Sequence, residues 1–178
     1  MKRFILAVVA ACLAMFPAAA SAGLNSYLRV TGETQGQIDG GVTQAGREDT
    51  IEVLSFSHGI EAPIDGATGM ATGVREHEPL VVTTKLEEST PLLLNALANN
   101  ENIVEFRLEM WEPSRSGKEL QYYTIELQNA SVAFIEINSG EERTDPHTAT
   151  IGFSYQTITH TYEDGGITGQ DNWAPVTP

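Results

Sequence analysis

Four histidines, His58, His77, His147 and His160, are the side chains best suited to hold a metal, yet no two stand three or four positions apart. The single cysteine, Cys12, lies in the N-terminal apolar run, so no zinc pattern is present. His77 sits between Glu76 and Glu78, the best local cluster of ligand types. Side chains alternate along an extended segment, so both glutamates would point away from that histidine, and the segment reads as a solvated strand end. Glu87-Glu88 and Glu141-Glu142 have the residue types for acid/base work. Neighbouring carboxylates in a polar stretch, with nothing apolar around them to raise a pKa, read as surface. There is no Gly-x-Ser-x-Gly elbow, and the glycines Gly59, Gly66, Gly69 and Gly73 lack the Gly-Lys-Ser/Thr ending of a phosphate loop. Trp111, Trp173 and the five tyrosines read as core or interface packing. The expectation is a protein without a catalytic constellation, metal or cofactor.

The elements that would carry these residues are mostly strands. Leu80 to Leu86 is rich in β-branched residues, as in a strand with both faces partly apolar, and it runs into the one convincing helix signal. Thr90 followed by Pro91 reads as the helix start, the hydroxyl capping free N–H groups and the proline occupying the first helical position. Leu92, Leu93, Leu94, Ala96 and Leu97 give that helix a broad apolar stripe that must pack on the sheet, and Asn99-Asn100 supplies its stop. Ile103 to Trp111 alternates apolar with charged residues, the clearest amphipathic strand. Further strands are expected at 27–31, 50–57, 120–127, 130–137, 148–155 and 158–162, with a turn at Asp164-Gly165-Gly166. Ile38 anchors a turn-rich stretch over 32–41. Residues 60–74, with Asp65, Gly66, Thr68, Gly69 and Gly73, read as a long exposed loop too poor in anchors for a regular element. Short strands with turns between them indicate a mainly β protein, an antiparallel barrel or sandwich.

The N-terminus has the parts of a secretory signal peptide: Lys2-Arg3, an apolar run from Phe4 to Phe16, then Pro17 and small residues to Ala22. Cleavage is expected between Ala22 and Gly23, leaving 23–178 as one β-domain with no disulfide and no membrane insertion. A spanning helix is the rival reading, but the run falls short of the ~20 apolar residues a bilayer needs. A lipoprotein site at Val9-Ala10-Ala11-Cys12 is a minor alternative. Removing Lys2 and Arg3 lowers the 10 basic residues to 8 against 24 acidic ones, a net of −16. Such a charge repels phosphate backbones and anionic membranes, so nucleic acid is not an expected partner.

Several segments together resemble the Hcp family, the tube-forming protein of bacterial type VI secretion systems. They are Glu48 to Leu54, Thr68-Gly69, Arg75 to Pro79, Lys85 through Ser89-Thr90-Pro91-Leu92-Leu93, Ile158 to Tyr162, Asp164 to Ile167, and Asp171-Asn172-Trp173. The resemblance implies an antiparallel β-barrel of two sheets flanked by one short α-helix. It also implies six copies closing into a ring, and rings stacking into an exported tube whose lumen carries effectors, with a spike protein and a sheath as further partners. The loop 60–74 is then placed where it reaches a neighbouring ring. Tube subunits of that family are assembled in the cytoplasm and lack a signal peptide, so two readings stand: a tube subunit, cytoplasmic before firing if the N-terminal segment is unused, or a secreted or periplasmic Hcp-like binding or adhesion module.

Overall fold

The computed structural model describes residues 24–115, 117–140 and 145–173. The signal segment with Ala22 and Gly23, and the Glu141-Glu142 pair, lie outside the described residues. In chain order the elements are β1 (Asn25–Gly32), β2 (Gly36–Gln37), β3 (Ile51–Ser57), β4 (Ile60–Glu61), β5 (Glu76–His77) and β6 (Leu80–Lys85). The helix α1 (Ser89–Ala98) follows, then β7 (Ile103–Pro113), β8 (Glu119–Gln128), β9 (Ser131–Asn138), β10 (Thr148–Ser154), β11 (Thr157–Tyr162) and β12 (Ile167–Asn172).

The fold is mainly β, with two antiparallel sheets and one short flanking helix, and its two facing walls come from the larger sheet. One ten-stranded sheet, in the order β12-β11-β8-β7-β1-β3-β6-β10-β9 with β2 paired to β1, supplies both, and the second sheet is the small β4-β5 ladder. The large sheet bends over on itself, so that Phe106 on β7 meets Phe153 on β10 edge-on at 4.8 Å between centroids. No described ladder joins β9 to β12, and those strands remain as edges. The corner Tyr155-Gln156 carries the chain from β10, near one edge, to β11, near the other.

Local irregularities explain where the alternation breaks. On β7 the pairing with β1 shifts so that Glu105 faces Thr31 while Ile103 faces Gly32. Val104 is the extra residue of that bulge and stays exposed, although Ile103 and Phe106 both enter the core. β12, of sequence ITGQDN, was not expected from its one apolar residue; six residue pairs with β11 hold it in place.

The helix begins one residue earlier than Thr90, at Ser89, with Glu88 in the cap position and no side-chain cap bond. This corrects the reading of Thr90 as cap and Pro91 as first helical residue. The Thr90 hydroxyl instead accepts from the N–H of Glu87 at 3.4 Å, closing the turn into the helix. Pro91 still falls in the first turn, where its missing donor costs nothing. Leu93 and Ala96 are fully buried, Leu92 and Leu97 pack at the core's margin, and Leu94 faces water. The asparagine stop holds: Asn100 takes a positive φ of 48°, its N–H reaches the Leu97 carbonyl at 3.2 Å, and that of Glu101 reaches Ala96 at 2.9 Å.

Glu101 then turns its carboxylate onto the β1-β2 turn, accepting from the N–H groups of Thr34 (2.7 Å) and Gln35 (2.8 Å) and from Gln35 Nε2 (2.6 Å). Gly32 makes room for it, since a Cβ there would lie 2.5 Å from a carboxylate oxygen. Arg47, which the sequence reading passed over, is buried with its guanidinium 4.1 Å from the Trp111 ring centre and Nη2 2.6 Å from Glu119.

Candidate functional site

The stretch 60–74 is exposed, as expected, but it is not structureless. β4 pairs with β5, Ile60 opposite His77 and Glu61 opposite Glu76, and Ile64 bridges Ala71 farther out. The tip is organised by Asp65, whose carboxylate accepts from the N–H groups of Ala67 and Thr68 and from the Thr68 hydroxyl. These bonds hold its pKa below the usual carboxylate value. Gly69, at φ 69°, donates back to the Asp65 carbonyl at 2.8 Å and completes the turn. Asp65, Thr68 and Gly69 therefore build the tip, while Gly66 and Gly73 lie in its open flanks with nothing near their α-carbons. The Asp-x-x-Thr-Gly pattern was the available signal for this turn.

The arm is apolar for its position. Ile64, Met70 and Val74 are 67%, 69% and 59% exposed, and Ile60 is partly so. These four stand together on the hairpin, while other exposed apolar side chains, Leu120, Ile137 and Ile167 among them, are scattered over the sheet.

The root of the hairpin gathers a cluster of polar and aromatic side chains from distant parts of the chain. His77 is not a solvated strand end: its side chain is buried, because β5 turns it inward and leaves Glu76 and Glu78 in water. Its Nδ1 lies 3.1 Å from the Tyr155 hydroxyl, and the same hydroxyl lies 2.5 Å from His58 Nε2. His77 Nε2 points toward Asp171 Oδ2 at 3.4 Å, and its ring stacks on Trp173 with centroids 5.6 Å apart. Asp171 on β12 is gripped by Arg75 through two bonds of 2.5 Å. The Arg75 bonds, ahead of every other influence, hold the Asp171 carboxyl below the usual range. His160 on β11 completes the group, its ring centre 6.0 Å from that of His58 and its Nδ1 3.0 Å from the Tyr123 hydroxyl.

With the ring proton placed on His77 Nε2, which faces Asp171 without a hydrogen bond to it, Nδ1 accepts from Tyr155 and the Tyr155 oxygen accepts from His58. The hydrogen-bonded run His77, Tyr155, His58 then has one consistent direction. Burial, with a contribution from Asp171, pushes the Tyr155 hydroxyl up to about 12, so it stays protonated and serves as a structural donor rather than a base or nucleophile. Among the described residues no group of three His, Cys, Asp or Glu is arranged to hold a metal.

No sequence spacing could have shown this cluster, because Tyr155 stands 97 positions from His58 and 78 from His77. His147, the fourth histidine, lies elsewhere, its carbonyl accepting from the N–H of Leu86. Of the paired carboxylates, Glu87 departs from the surface reading. Burial raises its carboxyl, against bonds from the Gly41 N–H and the Ser89 hydroxyl. It ties the segment after β2 to the start of α1 and faces no other catalytic group.

A wrapped antiparallel sheet with one helix and a projecting hairpin defines a mainly β module. A model of the family described as "Type VI secretion system effector, Hcp" matches residues 27–162. The "Major exported protein" of Pseudomonas aeruginosa is 32% identical over 167 residues, covering 85% of this chain and 96% of that protein. Among solved structures, one titled "Crystal structure of Hcp protein" superposes with a TM-score of 0.79 at 26% identity, over 84% of this chain and 99% of that one. The secreted protein Hcp3 from Pseudomonas aeruginosa gives 0.71 at 28% identity, over 86% and 100%. The chain belongs to the Hcp family of type VI secretion systems, a family of structural secretion proteins rather than of enzymes.

Proposed function

We propose that this chain is a non-catalytic, ring-forming subunit of a type VI secretion tube, in which homohexameric rings stack through the hairpin 60–74 and the assembled conduit is exported, carrying effectors. Spike protein and sheath are the further partners of that reading. The observation that carries it is the apolar arm: Ile64, Met70 and Val74 stand in water on an otherwise acidic protein, on a hairpin whose root is locked to the C-terminal strand. Aliphatic residues so placed gain by burial in another copy. Electron microscopy of the purified processed chain tests it. Rings, and stacks of rings, are expected. Six subunits of net −16 each carry −96, and unpaired carboxylates repel over ~30 Å in dilute buffer but ~8 Å at physiological salt. Stacking should therefore strengthen from about 10 mM to about 500 mM sodium chloride across that screening range. Best stacking at the lowest salt would show instead that acidic and basic residues are segregated onto opposite ring faces.

A second reading, a secreted or periplasmic module outside any tube, is favoured by Lys2-Arg3, the apolar run and Ala20-Ser21-Ala22. The intact mass of protein from its native host separates the two. A chain beginning at Gly23 places it outside the cytoplasm, and a mass retaining residues 1–22 eliminates the export signal.

A further inference from the structure

We infer that the imidazoles at the hairpin root form an acid-released latch: they hold the arm 60–74 against β11 and β12, and protonation of His58 and His160 frees it while the wrapped sheet stays folded. The effect on assembly rests on the reading of that arm as the contact between rings; the latch itself does not.

The geometry carries the inference. His58 and His77 belong to the hairpin side, Tyr155 to the sheet corner, His160 to β11, and Asp171 and Trp173 to the C-terminal strand and its end. Each side-chain bond between hairpin and body therefore passes through His58, His77 or Arg75. Tyr155 can donate once, and in the resting arrangement that proton goes to His77 Nδ1 while His58 donates to its oxygen. A second proton on His77, at Nδ1, would set two N–H donors against one phenol oxygen and strand the hydroxyl hydrogen. A proton on His58 or His160 creates a cation about 6 Å from the other ring, in a half-buried site that screens it less than open water does.

The charges around the cluster do not cancel this. From β12, Asp171 is the one carboxylate within ion-pairing reach of any of the three rings among the described residues, and it already serves Arg75. From the segment after β5, the Glu78 carboxylate lies against the backbone at Gly59. Tyr123 from β8 presents its hydroxyl to His160, and Tyr155 stays protonated across the range concerned. His77, facing Asp171 and bonded to Tyr155, is the pivot, and His58 and His160 are the release groups. Burial first, and for His58 the other two imidazoles next, lower both below the ordinary 6.5. A group with a lowered folded pKa is indifferent above its free value. Below about 6.5 it favours the open state, by up to about tenfold for each pH unit and each histidine.

The test is hydrogen exchange of the full processed chain, corrected for intrinsic rate, from about pH 7 to about pH 5, the span in which an ordinary histidine titrates. Amides of β4 and β5 are expected to open about tenfold or more faster, while the Phe106 and Phe153 amides keep their protection. Carrying both His58→Gln and His160→Gln, which keep a donor and an acceptor without a titratable ring, should hold the hairpin closed at pH 5. Should that variant not fold, the imidazole resonances of the wild-type chain serve instead: His58 and His160 must titrate together with the hairpin amides. Hairpin amides that stay protected while both rings titrate, or that open only together with Phe106, overturn the latch. Sedimentation at both pH values separates the two ideas. Release of the hairpin with rings unchanged supports the latch and contradicts the arm's role in stacking.

Discussion

Two projecting turns are pinned to the same sheet by buried polar groups of opposite character. The β1-β2 turn is held by the ionised Glu101 carboxylate, which accepts three N–H bonds beside the end of α1. The hairpin 60–74 is held at its root by imidazole rings, with His58 and His77 meeting on Tyr155. Hydrogen bonds from backbone and side-chain N–H groups keep the Glu101 carboxyl below 4.5, whereas burial lowers His58 and His160 below 6.5. Glu101's contribution is thus whole above its ordinary value and lost only as pH falls through its own lower one, while the rings lose theirs from about 6.5 downward. Acid therefore loosens the arm first and the body much later, which separates what can move from what must stay folded.

The largest way to break this contrast is through the body. Leu93→Ala should cost about 2–5 kcal/mol by lost burial and cavity formation, because Leu93 is fully enclosed between α1 and the sheet. Leu94→Ala, on the wet face, should leave thermal unfolding nearly unchanged. Thr90→Ala removes one long bond to the Glu87 N–H and should cost well under about 1 kcal/mol, less than a true cap would. If Leu94 rather than Leu93 proves sensitive, the helix is rotated from the position described.

Glu101→Gln comes next. It keeps the shape but replaces a charged acceptor by an amide with one oxygen, and should cost on the order of 1–3 kcal/mol in denaturant unfolding. It should also flatten the loss of stability below pH 4.5, with no change in hairpin exchange near neutrality. A variant that loosened the hairpin as much as the β1-β2 turn would show that the two regions are one cooperative unit.

The contrast also marks what the sequence could disclose. Strands with period-two patterning were legible from local residues, as were the anchor Ile38, buried to 1% exposure, and the asparagine stop after α1. The helix start was misplaced because the Thr-Pro signal is a local preference, while the actual first turn is set by Glu87, which accepts from the Gly41 N–H and from the Ser89 hydroxyl. The bulge at Val104 and the strand β12 depend on partners far along the chain, and so does the burial of Arg47 beneath Trp111. The histidine cluster belongs with them. Glutamates on both sides made His77 look wet, but the pleat that turns them outward is what sends the histidine in.

Removing the arm tests the central claim most directly. Residues 65–73 touch the body through no side-chain bond among those described, so their deletion should leave circular dichroism and thermal unfolding essentially as in the full chain. Sedimentation velocity of the deleted and full-length processed chains, at matched concentration and physiological salt, is the deciding measurement. The account predicts that both form single rings and that only the full-length chain goes on to stacks. Equal stacking by the two proteins, or a full-length chain that remains a monomer, would contradict it.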